Sequence, residues 1–111
     1  MTSTAHSVSY QVYLSTDNEN DFAVTVGMQP WAAGDYDYIG LYESYADLQK
    51  DFDRIANGDK PDNQKTWKRV KEFGKQYWDT DYSAQSGWLA AWFSYNYLID
   101  RYTCITWTGP Y

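Results

Sequence analysis

The sequence predicts an all-β fold: an antiparallel sandwich of six to seven strands with one helix inserted at about residues 45–57. Three observations lead there. Several short segments alternate apolar and polar side chains, the period of a strand with one buried face. Clusters of Gly, Pro, Asn, Asp and Ser separate these segments at short intervals. A single stretch changes to the three- and four-residue spacing of an amphipathic helix. With 111 residues, the chain fits one domain, 1–111, with room for one core and not two.

The first alternation runs from Ser7 to Leu14, with Val8, Tyr10, Val12 and Leu14 on one face. After the polar run "STDNEN", "DFAVTVGMQ" alternates again, with Phe22, Val24, Val26 and Met28 together; the two segments form an antiparallel pair. "QPWAAGD" turns the chain through Pro30 and Gly34. Tyr36 to Glu43 is the next strand, with Ile39 and Leu41 on one face and Tyr36, Tyr38, Gly40 and Tyr42 on the other. Tyr45, Leu48, Phe52 and Ile55 then mark a helix from about Tyr45 to Asn57, with Ser44 as N-cap and Gly58 as stop. "GDKPDNQ" is a loop. Thr66 to Phe73 fits either period, and its lysines favour an edge strand, where charge discourages pairing with another chain. "QYW" gives a short strand before a nine-residue polar loop, "DTDYSAQSG". Gly87 to Tyr97 is apolar on both faces, which places it centrally and covered on both sides. "NYLID" turns the chain, and Arg101 to Trp107 closes the fold.

"DYIGLY", Asp37 to Tyr42, resembles the D-[WY]-[IV]-G-[LIV]-[YF] strand of certain immunoglobulin-like β-sandwich modules. The SKICH domain and the N-terminal sandwich of purple acid phosphatases carry such a strand. Gly34-Asp35 resembles the Gly-Asp that often precedes it, and "WLAAWFSYNY" (Trp88 to Tyr97) a later aromatic strand. The resemblance covers two short segments and implies an immunoglobulin-like sandwich serving as a non-catalytic interaction or structural unit. Tyr38 replaces the usual Trp and a charged helix follows the strand directly, so no ligand residue is carried over. In physical terms, Asp37 is placed to hydrogen-bond at the strand entry, and Gly40 admits an aromatic neighbour.

Composition narrows the function. A net charge of −6 argues against binding a nucleic-acid backbone or an anionic membrane. The basic group Lys65, Lys68, Arg69, Lys71 and Lys75 reads as a solvated face. No run of 18 apolar residues gives a transmembrane segment. "MTSTAHSVSY" lacks the apolar core of a signal peptide, and the single cysteine, Cys104, forms no internal disulfide. A cytoplasmic protein is expected, with unconventional export as the alternative. His6 is the one histidine, which argues against Ser–His or Cys–His catalysis and against a His/Cys zinc site. No phosphate-cradling glycine loop is present, and neither cofactor nor metal is expected. "DNENDF", Asp17 to Phe22, opens like a calcium loop, but Phe22 stands where Gly is needed and Met28 where Glu is needed; a solvated hairpin loop is expected.

The aromatic content is the dominant signal, at 20% of residues with 6 Trp and 12 Tyr. A sugar offers an apolar C–H face to an aromatic ring and a belt of hydroxyls to Asp, Asn and backbone groups. "PWAAGDYDY" supplies Trp31, Asp35 and Tyr36; "YWDTDY" supplies Trp78, Asp79, Asp81 and Tyr82. These seven form the candidate site of a metal-independent, lectin-like protein that binds carbohydrate or glycoprotein, with self-association as a homo-oligomer raising avidity. The rival readings are a protein-interaction module using exposed Tyr and Trp, a small hydrolase using Asp79 and Asp81, and a lytic protein presenting its rings to a bilayer.

Overall fold

The computed structural model describes residues 9–111; His6, Ser7 and Val8 of the expectations above lie outside the described residues. Seven strands and one helix follow in the order β1 (Val12–Thr16), β2 (Asp21–Val26), β3 (Tyr38–Tyr42), α1 (Tyr45–Ala56), β4 (Thr66–Arg69), β5 (Tyr77–Ser83), β6 (Leu89–Asn96) and β7 (Arg101–Trp107). All strand pairs are antiparallel. They form a three-stranded sheet, β1-β2-β5, and a four-stranded sheet, β4-β3-β6-β7. This is an all-β antiparallel sandwich with one inserted helix, as the sequence predicts.

Alternation explains the core between the sheets. Val12, Val24, Val26, Ile39, Ala90 and Trp92 meet there with Val70 and Trp78. Phe22, Leu41 and Trp88 extend it as a further buried cluster. The expectation of one core is corrected by a second layer. Tyr38, Tyr42, Leu89, Ala91 and Phe93 project from the opposite face of β3 and β6 and are buried with Leu48 of α1. Large rings make this layer achievable in a short chain, because each removes 150–250 Å² or so from water. Every residue of β3 is consequently buried.

Local chemistry fixes the connections. Ser44 Oγ accepts from the Asp47 N–H at 3.1 Å, capping α1. Gly58, at φ +84°, ends the helix in the left-handed region. Asp37 accepts from Gly34 N and from Trp92 Nε1, both at 3.2 Å, and so ties the turn before β3 to the middle of β6. On the buried face of α1, Asp51 accepts from Tyr42 Oη (2.5 Å), Asp62 N (2.8 Å) and Asn63 Nδ2 (2.7 Å). Burial first, and then this hydrogen bond, hold the Tyr42 phenol proton far beyond its ordinary range.

Two segments resolve differently from the simplest reading. Thr66–Arg69 is the expected edge strand, but the chain then leaves it in a 3-10 turn, Val70–Glu72, which buries Val70 and, just after it, Phe73. The polar loop expected over 79–87 is largely strand: β5 runs on to Ser83. Trp78, Thr80 and Tyr82 alternate inward, and Thr80 hides its polarity by donating from Oγ1 to the Phe22 carbonyl at 2.9 Å. Asp81, at φ +62°, sits where the β2–β5 register shifts.

Candidate functional site

A concavity lined by aromatic rings lies on the outward face of the four-stranded sheet. Directly opposed residues share a face. Tyr38 lies opposite Arg69 and Phe93, Gly40 opposite Trp67, and Tyr95 opposite Tyr102. The outward positions of four strands therefore bring rings and a guanidinium into one surface. Between them is a cleft of about 420 Å³, walled by Tyr36, Tyr38, Trp67, Tyr95 and Tyr102 and edged by Lys60, Asp62, Gln64 and Arg69. That volume falls in the range of small-molecule sites.

The rings hold one another. Tyr38 and Trp67 meet edge-to-face at 5.4 Å, Tyr36 and Tyr95 at 5.8 Å, and Tyr95 lies 4.5 Å from Tyr102. Such contacts fix ring orientation before any ligand arrives. Tyr95 Oη donates to Asp100 Oδ1 at 2.6 Å, and that bond is the main reason its phenol is pushed up to about 12. Tyr95 thus presents a neutral phenol at physiological pH.

Arg69 is the distinctive charge. Its guanidinium lies 5.6 Å from the Tyr36 ring centre and 5.7 Å from that of Trp67. Three ion pairs occur among the described residues, Lys50–Asp47, Lys65–Glu43 and Lys71–Asp35, and Arg69 and Lys60 are in none of them. Part of the basic group is therefore a solvated face, as expected, while Arg69 is half-buried among rings. Gln64 adds a second unmet group: its Oε1 is buried and accepts no hydrogen bond from the described residues. Such an acceptor carries a penalty of roughly 1–3 kcal/mol. Gly40 is what admits this arrangement, since a Cβ there would meet Tyr42 Cε1 at 3.0 Å and Gln64 Cβ at 3.2 Å.

The seven residues expected to form one site are dispersed. Trp31 is 75% exposed on the 3-10 turn Pro30–Ala32. Asp35 pairs with Lys71, whose hydrogen bond and charge lower its pKa. Tyr36 alone enters the cleft. Trp78 is a correction: only 9% exposed, it packs in the inter-sheet core with its ring centre 6.1 Å from that of Phe73. Its inward position on β5 opposite Val24 leaves only an edge for a shallow groove shared with Asp79 and Lys75. Tyr82 is half-buried, 6.1 Å from Trp88. Asp81 is exposed at the register shift.

Asp79 belongs to a different constellation. Its carboxyl lies with those of Asp17 and Asp21, one oxygen of each within 4.8 Å of the others. Asp17 Oδ1 accepts from Glu19 N (2.8 Å) and Asp21 N (2.9 Å), closing the β1–β2 hairpin. The Asp21 amide is the main cause of a lowered Asp17 pKa, whereas the hydrogen bond to Asp17 is the main cause of a raised Asp79 pKa. As pH falls, Asp79 therefore takes up a proton before Asp17 does. This hairpin begins β2, while the Trp31 turn follows its other end, and six strand residues span about 20 Å. The Asp17–Asp21–Asp79 group and the Trp31 turn thus lie towards opposite ends of β2.

The sequence reading missed Tyr38, Gln64, Trp67, Arg69, Tyr95 and Tyr102 as site residues. Its usable signal was the tyrosine-rich face of the strand expected at β3, Tyr36, Tyr38 and Tyr42 beside Gly40. No protein-family model, curated protein or solved structure matches the chain.

Proposed function

We propose that the protein is a non-catalytic glycan-binding protein whose site is the ring-walled cleft on the four-stranded sheet. The observation that carries this reading is the convergence of five aromatic rings with two cations, a carboxylate and an amide in one cleft of about 420 Å³. Rings stack on the C–H faces of sugars, and the polar edge meets hydroxyls. Few polar groups converge, so single-site affinity falls at about millimolar to micromolar. The hydrolase reading is the less supported one, since Asp79 and Asp81 lie outside this cleft. Cytoplasmic synthesis, with unconventional export towards displayed glycans, completes the proposal. Among the described residues, no helix is long and apolar enough to cross a membrane.

A glycan-array screen of the wild type beside Trp67→Ala tests it. Binding by the wild type and its loss in the folded variant are expected. A folded wild type that retains no glycan at high concentration removes the reading.

A second reading rests on a separate observation. Tyr97, Leu98 and Ile99 are consecutive in the β6–β7 turn and 66%, 78% and 65% exposed. Such an exposed run is costly unless it meets a partner. A protein partner, a second copy included, would cover it, and a homo-oligomer would multiply weak sugar sites. Sedimentation velocity of the wild type and of Leu98→Asp tests the second-copy form: association that persists unchanged in the variant rules this turn out as the contact.

A further inference from the structure

We infer that the cleft takes an acidic sugar, a hydroxylated ring bearing a carboxylate, and that Arg69 selects it; this rests on the glycan reading of the same cleft. Two unmet groups lead to that class. Arg69 has no carboxylate partner among the described residues, although it lines the cleft. Ring faces hold its guanidinium at 5.6 and 5.7 Å. Contact with ring faces uses none of its five N–H donors, and its planar fork matches a carboxylate in bidentate fashion. Gln64 supplies the complementary need, an amide oxygen that accepts nothing. Turning that amide towards the cleft would let the oxygen take a donor.

A ligand must therefore bring both an anion and an O–H donor. Sulfate answers Arg69, but at neutral pH it has no proton to offer Gln64; hydrogen phosphate has one, but no ring face to lay against Trp67. A neutral sugar answers Gln64 and leaves Arg69 unmatched. A sugar acid answers both while its ring stacks on the exposed Trp67. The local charge agrees: Lys60 and Arg69 against Asp62 leave the cleft edge net positive in a chain of charge −6. The overall negative field does not reverse this. At physiological salt it is screened over about 8 Å, whereas a contact pair at a half-buried guanidinium is screened much less.

The test is an NMR titration of the ¹⁵N-labelled full chain with the trimer of galacturonic acid, with its methyl ester, and with inorganic phosphate. Acid and ester differ at the carboxyl alone. The acid is expected to bind about tenfold tighter than the ester at low salt, the scale of one charge-assisted hydrogen-bonded pair. Added salt should narrow that ratio, and Arg69→Gln should bring it near one. Equal binding of acid and ester by the wild type overturns the acidic-sugar inference and leaves the glycan reading standing. Binding of neither by folded protein overturns the acidic-sugar inference, and the glycan array then decides the broader reading. Phosphate binding as tightly as the acid also overturns the inference, since it identifies a simple anion site. If Arg69→Gln does not fold, the acid-to-ester ratio of the wild type decides alone.

Discussion

Trp31 and Trp78 show how far identity falls short of environment at the scale of single residues. Both precede or accompany acidic residues in the sequence, yet one is exposed and the other belongs to the inter-sheet core. Trp78→Ala should therefore lower stability by about 3–5 kcal/mol in denaturant titration, the cost of a large core truncation. Trp31→Ala should stay within about 0.5 kcal/mol. Asp79 carries a pH signature. Its raised pKa favours the folded state at low pH, and that contribution is lost as pH rises above the ordinary carboxylate range through the raised value. Asp17, lowered, acts in the opposite sense, its contribution disappearing only as pH falls through its depressed value. Asp79→Asn gives Asp17 a donor and removes a like charge. Thermal melts should show a higher midpoint for the variant at pH 7, with the difference vanishing or reversing near pH 4; a lower midpoint at pH 7 contradicts this account of the pair.

Elements were legible where one period ran unbroken. Ser44, the Tyr45–Leu48–Phe52–Ile55 stripe and Gly58 announce α1, and its bounds agree to within a residue. β5 was concealed because Thr80 and the aspartates read as loop, although Thr80 is buried and satisfied by Phe22. The docking of α1 was also hidden. Asp51 lies beside Leu48 and Phe52 on the apolar stripe, a position that marks it as buried, but its partners Tyr42 and Asn63 come from separate elements. Asp51→Ala would leave a buried phenol and two backbone N–H groups without their acceptor, and should destabilise the protein by about 2–4 kcal/mol. Asp51→Asn retains one acceptor oxygen and should cost less. Equal losses for the two variants would show that volume, not hydrogen bonding, secures the helix.

For the whole molecule, the order β4-β3-β6-β7 builds both the second apolar layer and the cleft. No local pattern encodes that order, which is why four strands' worth of outward rings could not be assembled from the sequence although each ring's face could. β3 and β6 occupy a special place in it. Their inward residues Ile39, Ala90 and Trp92 belong to the core between the sheets, and their outward residues Tyr38, Tyr42, Leu89 and Phe93 to the layer under α1. Opening either strand would break both layers at once, so their amides should exchange only through global unfolding. β1 and β4 are edge strands, each paired on one side, and can open while the rest persists. Hydrogen exchange should therefore find the slowest amides in Ile39–Leu41 and Ala90–Phe93, at the global unfolding free energy, with Val12–Thr16 and Thr66–Arg69 faster by at least about tenfold. Equal protection of β1 and β3 would mean that the two layers do not depend on shared strands, and the link between α1, the core and the cleft walls would fail with it.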